Sequence, residues 1–388
     1  MITLTFLFGA LLAFWLDWRA YHAGKSTART AWRKRFYVLL LADDLLLLLP
    51  AVLGKMLPDN NEAWMYFVMW INWLWLTTVA PRLIYRLLKM WHHRIAGAVL
   101  GVAYCLLLVW GITWGRTSIR ETHTEVVSAK LPSCFDGLRI VQLTDQHIGT
   151  LIHPERELRR IVDRANALEP DLVVLTGDLV TIRYTEFNAQ RQAILGELKA
   201  PMGVVSVTGN HDVGAYIKDT IALPRAENTR RLLDLQRKLG WRVLDNETIY
   251  LHRGGDSISL TGLSFDVAQR KERHDGDLPA LHLDEAYRDV PTRLFNLTAV
   301  HIPQWWDQIR AKGYGDLTLA GHVHSMQCKI TVGDFALSPA RLLYTRWSGR
   351  YDEDGKTLYI SDGTGYVGYP VRLGAYPEIT LITLKKCE

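Results

Sequence analysis

The sequence predicts an N-terminal all-α membrane region followed by a C-terminal α/β sandwich, two mixed sheets flanked by helices. Three observations predict it. Ten of the fourteen tryptophans lie within the first 114 residues, together with most of the long apolar runs. From about Arg116 the pattern becomes short apolar strands separated by helical stretches, the order βαβαβ. Several of those strands run directly into histidines and carboxylates. A chain of 388 residues has room for two domains, and these shifts divide it into 1–115 and 116–388.

Four segments read as spans. Ile2–Leu16 is short for a crossing of roughly 20 residues, whereas Phe36–Leu57, Ala63–Pro81 and Ile95–Trp114 are full length. Tryptophans near their ends suit an interfacial belt. A cleaved signal peptide is not expected, because no basic stretch precedes the first segment and no small-residue cleavage site follows it. The first loop carries Arg19, Lys25, Arg29, Arg33, Lys34 and Arg35; the second carries no basic residue; the third, Arg82 to Arg94, carries Arg82, Arg86, Lys89 and Arg94. The positive-inside rule then places loops one and three in the cytoplasm of a bacterial inner membrane, with the C-terminal domain on the non-cytoplasmic side. If the short first segment does not span, that orientation is in conflict. Asp43 and Asp44 lie inside the second span, read either as pairing with Arg82 or Arg86 or as a polar cavity.

Charge and cysteines exclude other classes. A net charge of +5, with the basic residues clustered beside spans, is no nucleic-acid footprint. Cys105, Cys134, Cys328 and Cys387 form no CxxC, so neither a disulfide framework nor a zinc ribbon is expected.

The second domain reads in order. Leu138–Thr144, Asp171–Thr176 and Gly203–Thr208 are buried strands. Between the first two, Leu158, Ile161, Val162, Ala165 and Leu168 share one helix face; a second helix is expected over Tyr184–Lys199. Later strands, WRVL, TIYLHRGGDSISLTG, NLTAVH, LTLAG, KTLYIS and EITLITL, predict a second, more mixed sheet.

The first three strands end in TDQH, TGDLV and TGNHD, and two later ones end in His301 and in GHVH, His322 to His324. Ligands of open α/β sheets bind at the carboxyl ends of strands, so all five blocks face one crevice. Spacing of two in an extended chain pairs Asp145 with His147 and His322 with His324. Asp145, His147, Asp178, Asn210, His301, His322 and His324 are too many donors for one tetrahedral zinc. They suit two ions sharing a carboxylate, and mixed imidazole and carboxylate donors fit Mn, Fe, Zn or Co. Gly177 and Gly209 let the backbone turn sharply there. Any one block alone is a core histidine or a turn aspartate; the ordered set carries the reading.

That series, DQH, GD, GNHD, H and GHVH over roughly residues 135–388, resembles the calcineurin-like metallophosphoesterase superfamily, and most of all its membrane-attached bacterial phosphoesterases. The resemblance implies a four-layer α/β sandwich and a dinuclear centre. Asp145, His147, Asp178 and His324 would hold one ion and Asp178, Asn210, His301 and His322 the other, with Asp178 bridging. It assigns His211 to catalysis, where an imidazole can protonate the leaving alkoxide. One departure is plain: where many members have an aspartate that orients this histidine, the position here is Thr181. Asp212 is adjacent in sequence but need not meet it.

The expected activity is membrane-anchored, two-metal hydrolysis of a phosphoester or pyrophosphate, with the bilayer and a phosphorylated small molecule or lipid as partners. A lipid-linked substrate is attractive, although the superfamily's nucleotide-lipid substrates are cytoplasmic and oppose the orientation above. Arg341, Arg346, Arg350 and above all Arg372 are candidates for gripping a second phosphate, and Trp305 and Trp306 for lining the crevice rim, touching a lipid or simply packing. The alternatives are a transporter or sensor, with Asp43, Asp44 and Asn72 as its polar span residues, regulated by this domain, and a catalytically silent metal-binding module. Oligomeric state is left open.

Overall fold

The computed structural model describes residues 2–22, 30–57, 59–265, 281–333 and 335–387. Two compact units divide the chain: Met1–Thr113 with Gly368–Pro370, and Trp114–Val367 with Val371–Glu388.

The first unit is helical: α1 (Ile2–His22), α2 (Thr30–Met56), α3 (Glu62–Met90) and α4 (Arg94–Trp110). Asn61 caps α3 by accepting from the Trp64 N–H at 3.0 Å. The third expected span stopped at Pro81, but α3 runs nine residues further, so Arg82, Arg86 and Lys89 are helical rather than loop residues. Proline leaves the carbonyl four residues back without its helical donor. The Cys105 thiol supplies one, donating to the Thr77 carbonyl at 3.9 Å. The first loop also shrinks, since residues 30 to 35 begin α2; Lys25 and Arg29 lie outside the described residues.

Helix α3 and the stretch Arg94–Gly115, which is α4 with the helical turn that continues it, are long and apolar enough to cross a membrane. Ile95, Val99, Val102 and Leu106 recur at helical spacing along one face of α4 and are 82, 60, 61 and 66% exposed. Buried carboxylates tie the helices together. Arg82 donates to Asp17 of α1 at 2.9 Å and to Asp43 and Asp44 of α2 at 2.7 Å each, while Arg86 also pairs with Asp17.

The second unit contains fourteen strands among the described residues. In chain order they are β1 (Arg120–Ser128), β2 (Arg139–Leu143), β3 (Leu172–Leu175), β4 (Val204–Ser206), β5 (Arg242–Val243), β6 (Glu247–Arg253) and β7 (Asp256–Leu263). Then follow β8 (Asn296–Val300), β9 (Leu317–Ala320), β10 (Ile330–Val332), β11 (Phe335–Leu337), β12 (Gly349–Glu353), β13 (Lys356–Ile360) and β14 (Glu378–Lys386). One six-stranded sheet has the order β1-β14-β2-β3-β4-β5, the other β12-β13-β9-β8-β7-β6, and β10-β11 is a small ribbon. Strands β2 to β5 are parallel, as are β7, β8, β9 and β13.

The sheets pack face to face. Ile140, Leu172, Val174 and Val205 of one share a core with Ile258, Leu260, Leu297, Ala299, Leu317 and Leu319 of the other. Outside the first sheet lie α5 (Pro154–Ala167), α6 (Ala189–Leu195) and α7 (Arg225–Lys238); outside the second lie α8 (Leu283–Ala286) and α9 (Trp306–Ala311). The result is a four-layer α/β sandwich. Helix α5 starts at Pro154 with Glu155 and Glu157 in its first turn, as its dipole favours, and buries Leu158, Ile161, Val162 and Ala165.

Several expectations are corrected here. The long second helix is a 3-10 turn, Tyr184–Glu186, followed by the short α6. Glu186 turns back to accept from the N–H groups of Thr181, Ile182 and Arg183, and Asn188 opens a new helix by capping Arg191. WRVL and EITLITL, read with the second sheet, form β5 and β14 of the first. Trp305 and Trp306 are 1 and 0% exposed and pack with Leu283, Ile309 and Val300, so they line no rim and touch no lipid.

Candidate metal centre

Five parallel strands from both sheets end at one place. The residues just beyond β2, β3, β4, β8 and β9 are Thr144–His147, Thr176–Asp178, Val207–Asp212, His301 and Gly321–His324. The chain does not stay extended there. Asp145, His147, Asp178, His322 and His324 all have left-handed backbones, with φ of 54, 44, 55, 76 and 51°. Non-glycine residues seldom adopt that region. Side chains therefore converge through tight turns, not through the alternation of a strand.

This geometry also separates one expected pair. His324 groups with Asp145 and His147, whereas His322 groups with Asp178 and His301; a further set joins His147, Asp178 and His211. His324 Nε2 lies 3.0 Å from Asp145 Oδ1 and 3.1 Å from His147 Nε2. His301 Nε2 lies 3.1 Å from Asp178 Oδ2, and His147 Nε2 3.7 Å from the same oxygen. Asp178 thus stands between the two groups. Of the two glycines, Gly177 has the φ of +92° that a sharp turn needs. Gly209 is there for close approach, since a Cβ would overlap Asp178 Oδ1.

The donors fit a pair of cations. Asp145, His147, Asp178, Asn210, His301 and His324 are all buried. His147 Nδ1 and Asn210 Oδ1 have no hydrogen-bond partner among the described residues. His301 Nε2, although 3.1 Å from Asp178, is aligned for no hydrogen bond. Buried polar atoms without partners are costly unless an ion completes them. The Thr176 carbonyl accepts from His301 Nδ1 at 2.8 Å, which leaves Nε2 to face the centre.

The charges follow from the same packing. Burial favours neutral Asp145, but His324 and His301 override it and hold the carboxyl well below its usual range. Burial likewise opposes ionised Asp178, and His301 and His211 override it. His147 is kept neutral by burial and by His211, as a ligand requires. Burial resists a charged His301, yet the Asp178 carboxylate lifts it to about 9.

His211 stands beside the donors. Its backbone N–H donates to Asp178 Oδ1 at 2.8 Å, and its Nδ1 meets the Thr181 carbonyl at 2.5 Å. A carbonyl only accepts, so Nδ1 carries a proton. Residue 181 therefore orients the histidine through its backbone, in place of the missing carboxylate. Asp212 turns away and accepts from the N–H groups of Asp178, Gly209 and Val180, bracing the two loops together. Tyr216 stacks on His211, ring centroids 4.2 Å apart. The Thr181 carbonyl, the Asp212 brace and Tyr216 were not legible in the sequence, because a backbone acceptor and a loop aromatic carry no spacing signal.

Arg372 is corrected. It is fully buried, and its guanidinium donates to the carbonyls of Gly365, Ala375 and Asp362 and to His324 Nδ1 at 3.2 Å. It buttresses the site rather than reaching a substrate. Arg346 is held by Asp307 and Glu353, and Arg350 by Asp352.

Residues 138–326 match the family model described as calcineurin-like phosphoesterase. An uncharacterised metallophosphoesterase of Bacillus subtilis, YkuE, is 30% identical over 272 residues, covering 69% of this chain and 86% of that protein. A Danio rerio transmembrane protein with metallophosphoesterase domain is 29% identical over 287 residues. That alignment covers 72% of this chain but 61% of the relative. The UDP-2,3-diacylglucosamine pyrophosphatase LpxG of Chlamydia trachomatis is 24% identical over 323 residues, 71% of this chain and 92% of its own. With the strand-end donors, the split clusters and these relatives together, the chain belongs to the calcineurin-like phosphoesterases, a family that works with divalent metals on phosphorylated substrates.

Proposed function

We propose that the protein is a membrane-anchored two-metal phosphohydrolase that cleaves a phosphoester or pyrophosphate bond of a lipid-linked substrate. The observation that carries this is Asp178 standing between two buried donor groups, with His211 hydrogen-bonded to it. Asp145, His147, Asp178 and His324 would hold one ion, and Asp178, Asn210, His301 and His322 the other. Mn, Fe, Zn or Co suits these donors. Bound ions would polarise the phosphoryl group and activate the attacking water.

The chain's own residues do the rest. The Thr181 carbonyl accepts from Nδ1 and Asp178 holds the His211 backbone, so that in the doubly protonated imidazolium Nε2–H can deliver its proton to the departing oxygen. Water adds to phosphorus and gives one proton to solvent as the bond to the leaving oxygen breaks, and that oxygen takes the Nε2 proton. Beside the 208–213 turn, a cavity of about 660 Å³ is lined by Thr208, Val213, Arg225, Leu233 and Phe265 among others. Cationic and apolar walls together suit an anionic group attached to a hydrocarbon. Four spans in α1 to α4 would hold such a site close to the bilayer, and the exposed apolar face of α4 favours anchoring. LpxG, by its name, splits a pyrophosphate on an acylated UDP-sugar, which supports the same substrate class.

The test strips the full-length protein with chelator, restores each metal, and follows bis-p-nitrophenyl phosphate and UDP-2,3-diacylglucosamine. Asp178→Asn should lower turnover of both substrates more than about a hundredfold, whereas His211→Gln should lower that of UDP-2,3-diacylglucosamine by about 10²-fold or more and that of the p-nitrophenyl ester less. Unchanged hydrolysis in both variants would end the enzyme reading.

A further inference from the structure

Tyr216 lies between β4 and α7, five residues beyond His211. Besides packing against the core cluster of Val213, Phe265 and Trp305, it makes contacts in both halves of the site. Its ring stacks on the His211 imidazole at 4.2 Å and an interplanar angle of 25°. Its hydroxyl accepts from Asn210 Nδ2 at 3.0 Å.

Each contact removes a specific freedom. An asparagine amide has a donor end and an acceptor end, and the hydrogen bond at one end decides where the other points. With Nδ2 committed to the phenol, Oδ1 is the end left buried and without a partner, facing as a ligand must. A hydrogen bond to one acceptor, as from His211 Nδ1 to the Thr181 carbonyl, fixes the tautomer but does not by itself stop a ring swinging about that bond. Stacking on a second plane restricts the swing.

We propose that Tyr216 is a positioning residue that couples the two halves: its hydroxyl aims Asn210 at an ion, and its ring fixes the plane of His211. The second half rests on the phosphohydrolase reading above; the first does not. Two variants of the full-length protein separate them. Tyr216→Phe keeps the stack and removes the hydroxyl. Mn²⁺ affinity, measured by equilibrium dialysis, should fall about tenfold, as losses of groups that orient ligands do. Turnover at saturating Mn²⁺ should fall less than in a variant that also loses the ring. Tyr216→Leu removes both contacts. Its Mn²⁺ affinity should fall equally, and its saturated turnover should drop about 10–100-fold on an alkyl phosphodiester but far less on p-nitrophenyl esters, whose leaving group scarcely needs a proton.

Wild-type Mn²⁺ affinity in Tyr216→Phe would overturn the hydroxyl's role. An equal loss on both ester types in Tyr216→Leu would make the ring a packing residue. Should the wild type hydrolyse nothing with any metal while Tyr216→Phe still weakens Mn²⁺, the phosphohydrolase reading fails and the Asn210 contact stands.

Discussion

At Asp145, His147, Asp178, His322 and His324 the backbone sits where side chains rarely go, at about 1 kcal/mol or more each. Five such residues at the ends of β2, β3 and β9 concentrate backbone strain at the crevice. The sequence named every one of these side chains but misjudged how they meet. Spacing of two implies a pleat, and the pleat has already ended at Leu143 and Ala320. Residue chemistry was legible; a reversal in φ was not, because no residue type at these positions announces it. Charge at the centre gives a prediction with a definite sign. In the metal-free protein the folded state raises His301 from an ordinary value near 6.5 to about 9. Its contribution to stability is therefore fully present below about 6.5 and is lost as pH rises through 9. Ligation needs the neutral ring, so an ion binding at pH 7.5 must expel that proton. Calorimetry in buffers of different ionisation enthalpy should show at least about one proton released per protein at pH 7.5. Release should shrink towards pH 9.5, and none at pH 7.5 would mean that His301 was never charged. Gly209→Ala should weaken metal binding in the same experiment, since the new methyl pushes on Asp178 Oδ1.

Among elements, the strands nearest the site were the most readable. Strand β3 is a continuous apolar run and β2 and β4 are mostly apolar because both their faces are covered, and their ends carry the motifs. Pairing order was not readable. Nothing local in β14 says that it must insert between β1 and β2, antiparallel to one and parallel to the other. Strand β1, RETHTEVVS, was missed because it alternates charge and threonine with only one buried residue, Val126. In the helical unit, the sequence exposed Asp43 and Asp44 and named Arg82 as a partner, but not Asp17. Arg82 touches all three carboxylates, so it joins α1, α2 and α3 at one point. Removing one partner of a buried pair costs about 3–5 kcal/mol, because the remaining charge is stranded. Arg82→Ala should accordingly lower the thermal midpoint of the helical unit in detergent. Adding Asp44→Asn should recover part of the loss. If Arg82→Ala unfolds at the wild-type temperature, the three carboxylates are held by something other than this arginine.

For the whole molecule, the decisive quantity under the proposed anchoring is the side of the membrane on which Trp114–Val367 would be carried, since that would determine which phosphoesters it meets. Basic residues flank the first and third connections and are absent from the second, which favours a non-cytoplasmic catalytic unit. Finding Arg82, Arg86 and Lys89 inside α3 moves them from loop to helix end without changing that asymmetry. The protein carries its own probe. Cys387 is exposed, whereas Cys105, Cys134 and Cys328 are partly covered, and Cys134 donates to the Arg253 carbonyl at 2.9 Å. With those three replaced by alanine, a membrane-impermeant maleimide added to intact cells should label the full-length protein at Cys387, and permeabilisation should add little. Labelling confined to permeabilised cells would reverse the orientation, with the first segment then the natural suspect because its apolar run, Ile2–Leu16, is short. A labelled outer domain directs the search to phosphoesters of envelope lipids, whereas a protected one puts nucleotide-linked lipids first. Either way the proposed metal chemistry would be the same, and what would change is the phosphorylated substrate that can reach Asp178.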